Sequence, residues 1–212
     1  MLNLKVVVGS ARQGRAADRV VPWIEAQIAG YPAFDAEVLD LRHWPLPFFA
    51  ENVHTIGDIR DPRYSDPIVK QWNERVAEGD VFLFITPEYN HSIPAVLKNA
   101  IDTVFASFAF RNKAAAFVGY SGGIAAGARA IEHLAQIAIE AEMVPLRNTV
   151  LIPFVGNAFD EHGRPIDSNT EAALSIVLDD LQWWGGALQS ARRLNQLPPA
   201  MFRKSTTTGK SQ

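Results

Sequence analysis

The chain of 212 residues contains no cysteine. Disulfides, thiol nucleophiles, iron-sulfur clusters and thiolate zinc sites are therefore excluded. An excess of one charge is also lacking, because 23 acidic residues face 20 basic ones and the net charge is −3. This balance gives no basic field for nucleic acid and points to small-molecule ligands. No apolar run reaches membrane length and no leader pattern precedes the first strand-like segment, so we expect a cytoplasmic protein with no membrane association.

Short apolar runs alternate with segments of helical periodicity along the chain. Residues 81–85 are continuously apolar, as in a buried parallel strand, whereas 34–41 alternates as at a sheet edge. A strand followed by a helix occurs five times, which predicts a parallel sheet covered on both faces. The predicted strands are 4–8, 34–41, 81–85, 113–119 and 146–152, and the predicted helices are 16–29, 66–77, 95–105, 124–142 and 170–194.

This element order predicts an α/β fold, a flavodoxin-like doubly wound five-stranded parallel sheet in the order 2-1-3-4-5. Ligands bind such sheets in the crevice between strands 1 and 3. We expect one domain over residues 1–195. Residues 196–212 contain adjacent prolines and a run of Lys, Ser and Thr, and we expect this tail to be disordered.

The segment 86–94, Thr-Pro-Glu-Tyr-Asn-His-Ser-Ile-Pro, follows the apolar run 81–85 and precedes a predicted helix. It therefore lies at the carboxyl end of a strand, where open α/β sheets bind ligands. Its prolines restrict the backbone at both ends, and Ser92 is expected to cap the helix. Between the prolines lie a carboxylate, a phenol, an amide and an imidazole, which fit either an ordinary polar loop or a ligand site.

A glycine-containing loop, 9–15, follows the first predicted strand. It lacks the spacing of a Rossmann fingerprint and the lysine of a P-loop, but it presents Ser10, Arg12 and Arg15 at the amino end of a helix. Free amides and the helix dipole favour a phosphate there, and a charged hydrogen bond contributes about 1.5–3 kcal/mol. The alternative is that both arginines are solvated or pair with Asp18.

At these positions the chain resembles the NADPH-dependent FMN reductases, flavodoxin-like flavoproteins that include quinone, azo-dye and chromate reductases. The resemblance covers about residues 2–190, and its motifs occur in the family's order at the expected strand ends. The most specific motif is Pro-Glu-Tyr-Asn. The matching motifs are Gly9-Ser-x-Arg12, Thr86 to Pro94 with the following Leu97 to Asp102, and Gly119-Tyr-Ser-Gly-Gly123.

The resemblance implies FMN as the cofactor. The first loop would hold its phosphate, the Pro-Glu-Tyr-Asn stretch would flank its ring, and glycine-loop amides would reach the polar edge of the ring. Many members have Ser and Asn where this chain has Arg15 and Ala17, so Arg15 is expected to replace the lost contacts with charge. The implied cofactor-binding residues are Ser10, Arg12, Arg15, Pro87, Glu88, Tyr89, Asn90, Ser121, Gly122 and Gly123.

The same resemblance implies that NADPH or NADH reduces the flavin and that a small-molecule electron acceptor reoxidises it. This acceptor would be a flavin, a quinone, an azo compound or a metal oxyanion. The cofactor would carry the chemistry, so we expect no catalytic protein residue and no metal. Tyr89 is expected to be a wall beside the flavin rather than a proton donor.

Residues 42–67 have no sustained period but carry four prolines and an apolar group that includes Trp44, Phe48 and Phe49. Such exposed aromatics indicate a covered surface. In the family, a partner subunit's loops help to close each flavin site, so we expect a homodimer or homotetramer.

Two other functions fit the same fold. An electron-carrier flavodoxin usually has a strongly acidic docking face, which the net charge of −3 disfavours. A flavin-free binding or regulatory protein is the other alternative.

Overall fold

The computed structural model describes residues 1–195 and 197–203. Its strands are β1 Leu2–Val8, β2 Phe34–Asp40, β3 Val81–Pro87, β4 Ala114–Tyr120 and β5 Val144–Ile152. Its helices are α1 Ala17–Ile28, α2 Pro67–Glu78, α3 Ala95–Thr103, α4 Ala128–Glu140, α5 Ser168–Leu194 and α6 Ala200–Arg203. The strands pair in parallel in the order β2-β1-β3-β4-β5, which confirms the predicted sheet. No helix in this described part is long and apolar enough to cross a bilayer.

The central strand β3 is buried along its whole length. Val81, Leu83 and Ile85 belong to the core that α1 and α5 cover, whereas Phe82 and Phe84 belong to the core that α2, α3 and α4 cover. Successive side chains of a strand point to opposite faces. A strand with helices on both sides must therefore be apolar at every position, which is why 81–85 was recognisable from the sequence.

The helix limits agree with the predictions to within two residues, except at the start of α4. α3 ends at Thr103, and a 3-10 turn over Phe105–Ser107 replaces the predicted continuation of the helix. Phe108 then adopts a left-handed conformation, with φ of 57°, which cannot continue a right-handed helix. α4 begins at Ala128 instead of residue 124, because Ala126 and Gly127 in the loop before it have positive φ angles.

The segment between the 3-10 turn at 41–43 and α2 contains no helix or strand. Trp44 is half-buried and packs against Trp72, with ring centroids 5.1 Å apart. Phe48 and Phe49 are instead 86% and 45% exposed. The predicted exposure of aromatic residues is therefore confirmed for Phe48 and Phe49, whereas Trp44 is half-buried.

The tail predicted to be disordered begins at Gln196. Gln196 and residues 204–212 lie outside the described residues. Residues 197–203 are described and include the helix Ala200–Arg203, and Arg111 donates hydrogen bonds to carbonyl groups of this segment.

Lys113 lies just before β4 and is buried at the amino edge of the sheet. Its ammonium group donates to the carbonyls of Val76 at 3.0 Å and Ala77 at 2.9 Å, in the last turn of α2. A cation is favourable at a helix carboxyl end. Burial nevertheless lowers the pKa of Lys113, the positive charge of Arg192 adds to this shift and Asp80 opposes it, and the resulting pKa is about 7.

We expect the free energy of unfolding to rise with pH between about pH 7 and 9.5 in the wild type, relative to a Lys113→Met variant. Over this range the unfolded chain binds a proton at Lys113 that the folded protein does not bind. The free energy of unfolding rises by at most about 1.4 kcal/mol per pH unit. The stability that neutral Lys113 contributes at high pH is lost as the pH falls through 7. Urea unfolding at a series of pH values measures the effect. Lys70→Met, at an exposed position of α2, should keep the wild-type profile; identical profiles for the wild type and Lys113→Met would contradict the expectation.

Candidate active site

The loops that follow β1, β3 and β4 lie at the same edge of the sheet. β1 pairs with β2 on one side and β3 on the other, so the chain reverses its direction of winding at β1. This reversal is the place where open α/β sheets bind ligands. We define residues 9–16 as the first loop, 88–94 as the second loop and 121–127 as the third loop.

Ser10 and Tyr89 join the first loop to the second. Ser10 is fully buried, and its hydroxyl oxygen lies 2.8 Å from the hydroxyl oxygen of Tyr89. The guanidinium carbon of Arg12 lies 5.6 Å from the centroid of the Tyr89 ring. In the part of the chain that the structure describes, no carboxylate pairs with Arg12. Three of the residues predicted for the site are thus brought together.

The second loop is a tight hairpin, a feature that the sequence analysis missed. Tyr89 and Ser92 exchange two backbone hydrogen bonds, of 2.9 and 3.1 Å. The two residues between them, Asn90 and His91, have φ of 49° and 73°. Positive φ at both central positions is typical of a type I′ turn, which favours Asn first and Gly second. Asn90 was the available signal, and the histidine that follows it obscured the pattern.

Ser92 does not cap α3, contrary to the expectation. The N-cap residue is Pro94, which provides no side-chain hydrogen bond. The Ser92 hydroxyl instead lies 2.9 Å from Nδ1 of His133 on α4. The ring of His133 is also near that of His91, with centroids 6.3 Å apart. Ser92 therefore connects the second loop to α4.

Glu88 makes a second connection between the same elements. Its side chain is 4% exposed and forms an ion pair with Arg129, in the first turn of α4. Its Oε2 atom is buried and has no hydrogen-bond partner among the described residues. The backbone amide of Glu88 donates to the carbonyl of Tyr120 at 3.0 Å. The backbone of Glu88 thus continues along β4, while its carboxylate anchors the loop.

Gly127 sets the start of α4. It has φ of 87°, and a Cβ atom there would lie 2.5 Å from the amide nitrogen of Tyr120. Only glycine adopts this conformation in so small a space without displacing the backbone of β4. Ala126 also has a positive φ, of 55°. Because these residues cannot be helical, the third loop extends to Gly127.

Ser121, Gly122 and Gly123 form the open part of the third loop. The Ser121 hydroxyl donates to the carbonyl of Gly123 at 2.9 Å. A Cβ atom added to Gly122 or Gly123 would meet no other atom within 4 Å. This part of the loop therefore leaves space at the edge of the sheet, next to the second loop.

Arg15 does not face the crevice. Its guanidinium donates to the carbonyl of Ser10, to both carboxylate oxygens of Asp40 at the end of β2, and to Asp18 at 2.9 Å. These contacts use four of its five N–H groups. Arg15 is consequently not free to replace phosphate contacts with charge, as the sequence analysis expected, whereas the alternative pairing with Asp18 is confirmed.

The charges of this network stabilise one another. The hydrogen bonds with Asp40 raise the pKa of Arg15, although burial alone would lower it. Burial would raise the pKa of Asp40, but hydrogen bonds from Arg15 and from the amide of Arg42 lower it below its ordinary value. The pKa of Asp18 is also lowered, mainly by its hydrogen bond with Arg15. All three groups therefore remain ionised at neutral pH.

Tyr120, the last residue of β4, is a site residue that the sequence analysis did not single out. Its ring is buried, and its hydroxyl has no hydrogen-bond partner within residues 1–195 and 197–203. Burial raises the pKa of Tyr120 and the nearby Tyr89 adds to the shift, whereas Ser10 opposes it. The Ser10 hydroxyl is engaged with Tyr89. A tyrosine that ends a buried strand beside a glycine loop was the only available signal.

The sheet and its three loops define a flavodoxin-like protein. The family model of the NADPH-dependent FMN reductases matches residues 2–157, so the chain belongs to that family. The family prediction is thereby confirmed, and with it, at the level of the family, the predicted FMN-dependent NAD(P)H oxidoreductase class.

Individual relatives agree with this assignment. An NAD(P)H-dependent FMN reductase of Pseudomonas aeruginosa is 35% identical over 156 residues, which cover 72% of this chain and 80% of that protein. An NAD(P)H:quinone oxidoreductase of Solanum tuberosum is 35% identical over 157 residues, covering 70% of this chain and 74% of that protein. Among solved structures, FerB, a flavoenzyme NAD(P)H:(acceptor) oxidoreductase of Paracoccus denitrificans, shares the fold. It matches with a TM-score of 0.72 over 88% of this chain and 98% of that chain, at 23% identity.

Replacing Gly127 should destabilise the protein. We expect Gly127→Ala to lower the free energy of unfolding by roughly 2–4 kcal/mol, because the new methyl group overlaps the backbone of β4 at a positive φ. Chemical denaturation measures this change. Gly156→Ala is the matched control, since a Cβ atom there meets nothing within 4 Å. Equal stability of the two variants would contradict the assigned role of Gly127.

Proposed function

We propose that this chain is an FMN-dependent NAD(P)H oxidoreductase that passes electrons to flavin, quinone, azo or metal-oxyanion acceptors. The observation that carries the proposal is the contact between Ser10 and Tyr89, 2.8 Å between hydroxyl oxygens. This contact joins the two loops that flank the β1–β3 reversal. It lies in the crevice where a doubly wound sheet accommodates a nucleotide-like ligand.

The first loop suits the phosphate of FMN. Ser10 offers a buried hydroxyl, and Arg12 offers a guanidinium that no described carboxylate neutralises. The amino end of α1 follows directly and favours an anion. The unpartnered hydroxyl of Tyr120, close to Ser10 and Tyr89, is a further donor. These donors match a phosphate monoester in charge and in hydrogen-bonding capacity.

The second and third loops suit a flat ring. The proposed position of the isoalloxazine runs along Pro87, Glu88, Tyr89 and Asn90, with the loop 121–123 at its polar edge. In this loop the amides of Ser121 and Gly123 donate to protein oxygens at 3.2 and 3.3 Å, so the amide of Gly122 is the one available to the ring. The hairpin fixes the backbone of this stretch, and the space beside Gly122 and Gly123 leaves room for the ring edge. The guanidinium of Arg12 lies over the Tyr89 ring, and the Tyr89 hydroxyl is held by Ser10. These contacts favour a role for Tyr89 as a wall that limits the position of the flavin rather than as a proton donor.

FMN, when bound, supplies the redox chemistry by accepting a hydride from NADPH or NADH and delivering electrons to the acceptor. The residues of the chain bind and orient it. Arg12 and Ser10 would hold the phosphate, Tyr89 would limit the position of the ring, and a third-loop amide would stabilise negative charge at its polar edge.

Flavin binding and reduction test this proposal against its alternatives. The protein should show the yellow absorption of flavin, or gain it when FMN is supplied, and the colour should bleach rapidly on anaerobic mixing with NADPH or NADH. A protein that binds FMN but is not rapidly bleached by either reductant would be an electron carrier. Failure to take up FMN would indicate a flavin-free protein.

Arg12→Glu should release FMN from the folded protein, because it replaces the phosphate's positive partner with a negative charge. A charged hydrogen bond of about 1.5–3 kcal/mol corresponds to a loss of affinity of at least about tenfold. Absorption of the purified variant and its circular dichroism measure flavin content and folding. Arg147→Glu, at an exposed position of β5, is the matched control and should keep its flavin. Stoichiometric flavin in Arg12→Glu would move the phosphate site elsewhere.

We also propose a homodimer or homotetramer, and a cytoplasmic location where nicotinamide reductants are available. The exposed Phe48 and Phe49 support an interface. Asn99 on α3 holds this segment in place: its side chain accepts from the Phe49 amide at 2.9 Å and donates to the Pro47 carbonyl at 2.9 Å. The two aromatic rings are therefore presented beside α3, the helix that follows the second loop.

In solution the protein should be larger than its 23.4 kDa chain. Phe48→Asp should shift it toward the monomer, because a carboxylate would be buried in the proposed interface. Light scattering at micromolar concentration measures the mass. Ile166→Asp changes an apolar residue that is 68% exposed in another loop and should leave the mass unchanged. A monomeric wild type would contradict the proposal.

A further inference from the structure

Arg15 holds the first loop in place by donating a hydrogen bond to the carbonyl of Ser10. We infer that Arg15 is a positioning residue that fixes the first loop in its phosphate-binding conformation, and that Asp40 makes the loop select FMN over riboflavin by acting through Arg15. The inference rests on the proposed phosphate site of Ser10 and Arg12. It assigns a role in cofactor selection to two residues that lie outside the proposed phosphate site and act on it through the Ser10 carbonyl.

The carbonyl groups of the first loop are held in a defined direction by two arginines. The carbonyl of Ser10 is bound by Arg15, and the carbonyl of Arg12 lies 3.4 Å from the guanidinium of Arg42. In a planar trans peptide the C=O and the following N–H point in opposite directions. The amides of Ala11 and Gln13 are thus turned away from the two guanidinium groups. Among the described residues, neither amide donates to a protein atom, so both are available to an anion.

Ser10 is held through both its carbonyl and its hydroxyl. Its carbonyl is bound by Arg15 and its hydroxyl by Tyr89, so both of its polar groups that face the protein are fixed. Arg15 is itself fixed, because Asp40 accepts from both terminal nitrogens of its guanidinium. Asp40 also accepts from the amide of Arg42 at 2.9 Å, which anchors the carboxylate at the end of β2.

The charges around Arg15 balance one another. Two arginines, Arg15 and Arg42, contact two aspartates, Asp18 and Asp40, so this network has no net charge. The uncompensated charge of the first loop belongs to Arg12. A role based on charge and a role based on position therefore predict opposite results when Asp40 loses its charge.

The test compares the affinity for FMN with that for riboflavin, which lacks the phosphate, by fluorescence titration of protein freed of flavin. Arg15→Lys keeps the charge but cannot bind both oxygens of Asp40 and the Ser10 carbonyl together. Asp40→Asn keeps an acceptor for the Arg42 amide. Both variants should bind FMN about tenfold or more weakly, while riboflavin affinity stays within about twofold of the wild type. Unchanged FMN affinity in Arg15→Lys, or tighter FMN binding in Asp40→Asn, would overturn the inference.

Two controls separate this role from general stability and from the phosphate site itself. Arg111 pairs with Glu142 in a half-buried arrangement, at the amino ends of β4 and β5. Arg111→Lys should leave the ratio of FMN to riboflavin affinity unchanged. Arg12→Ala should abolish the preference for FMN. If the wild type itself does not prefer FMN, the phosphate site and the inference both fail. If Arg12→Ala loses the preference but Arg15→Lys and Asp40→Asn keep it, only the inference fails.

Discussion

The parallel pairing of β1 with β3 places Val8 directly beside Ile85, so the residues that follow each strand leave the sheet at the same height. The amide of Gly9 continues this pairing by donating to the carbonyl of Ile85 at 2.8 Å. Ser10 and Tyr89, 79 residues apart in the chain, meet only because of this register. A shift by one residue would turn one of the two side chains to the other face of the sheet. The crevice therefore depends on a backbone alignment whose stability comes from the two apolar cores.

The sequence was sufficient for the architecture because burial on both faces leaves a simple pattern. Val81 to Ile85 must be apolar throughout, and each strand is followed by a segment of helical period. The same reasoning located the loops that contain Ser10, Tyr89 and Ser121, since they lie at strand ends. Local geometry was less accessible. The start of α4 depends on how close Gly127 comes to the backbone of β4, which no helical pattern records.

Arg15 shows why the detail of the site could not be read from the sequence. An arginine in a phosphate loop has two favourable partners, an anionic ligand and a nearby carboxylate. Which partner it takes depends on Asp40, at the end of a different strand, and only the pairing of β2 with β1 brings Asp40 into reach. Ser92 was misjudged for a similar reason, because His133 on a distant helix competes with the helix amides for its hydroxyl.

The second and third loops are fixed by different means. Positive φ angles at Asn90, His91 and Ala126 set the course of the backbone. Glu88 and Ser92 then attach the second loop to α4 through Arg129 and His133. Because both attachments end on α4, a displacement of that helix would move the second and third loops together.

Gly122 and Gly123 differ from Gly127 because no close contact surrounds a Cβ atom at either position. Neither has a positive φ, and a side chain at either position would enter open space. The fold does not require glycine there, unlike at Gly127. A side chain at either position would instead enter the space that the proposed flavin ring edge would occupy. Substitutions at 122 and 123 would therefore change the shape of this edge of the crevice and leave the sheet, the helices and the first loop as they are.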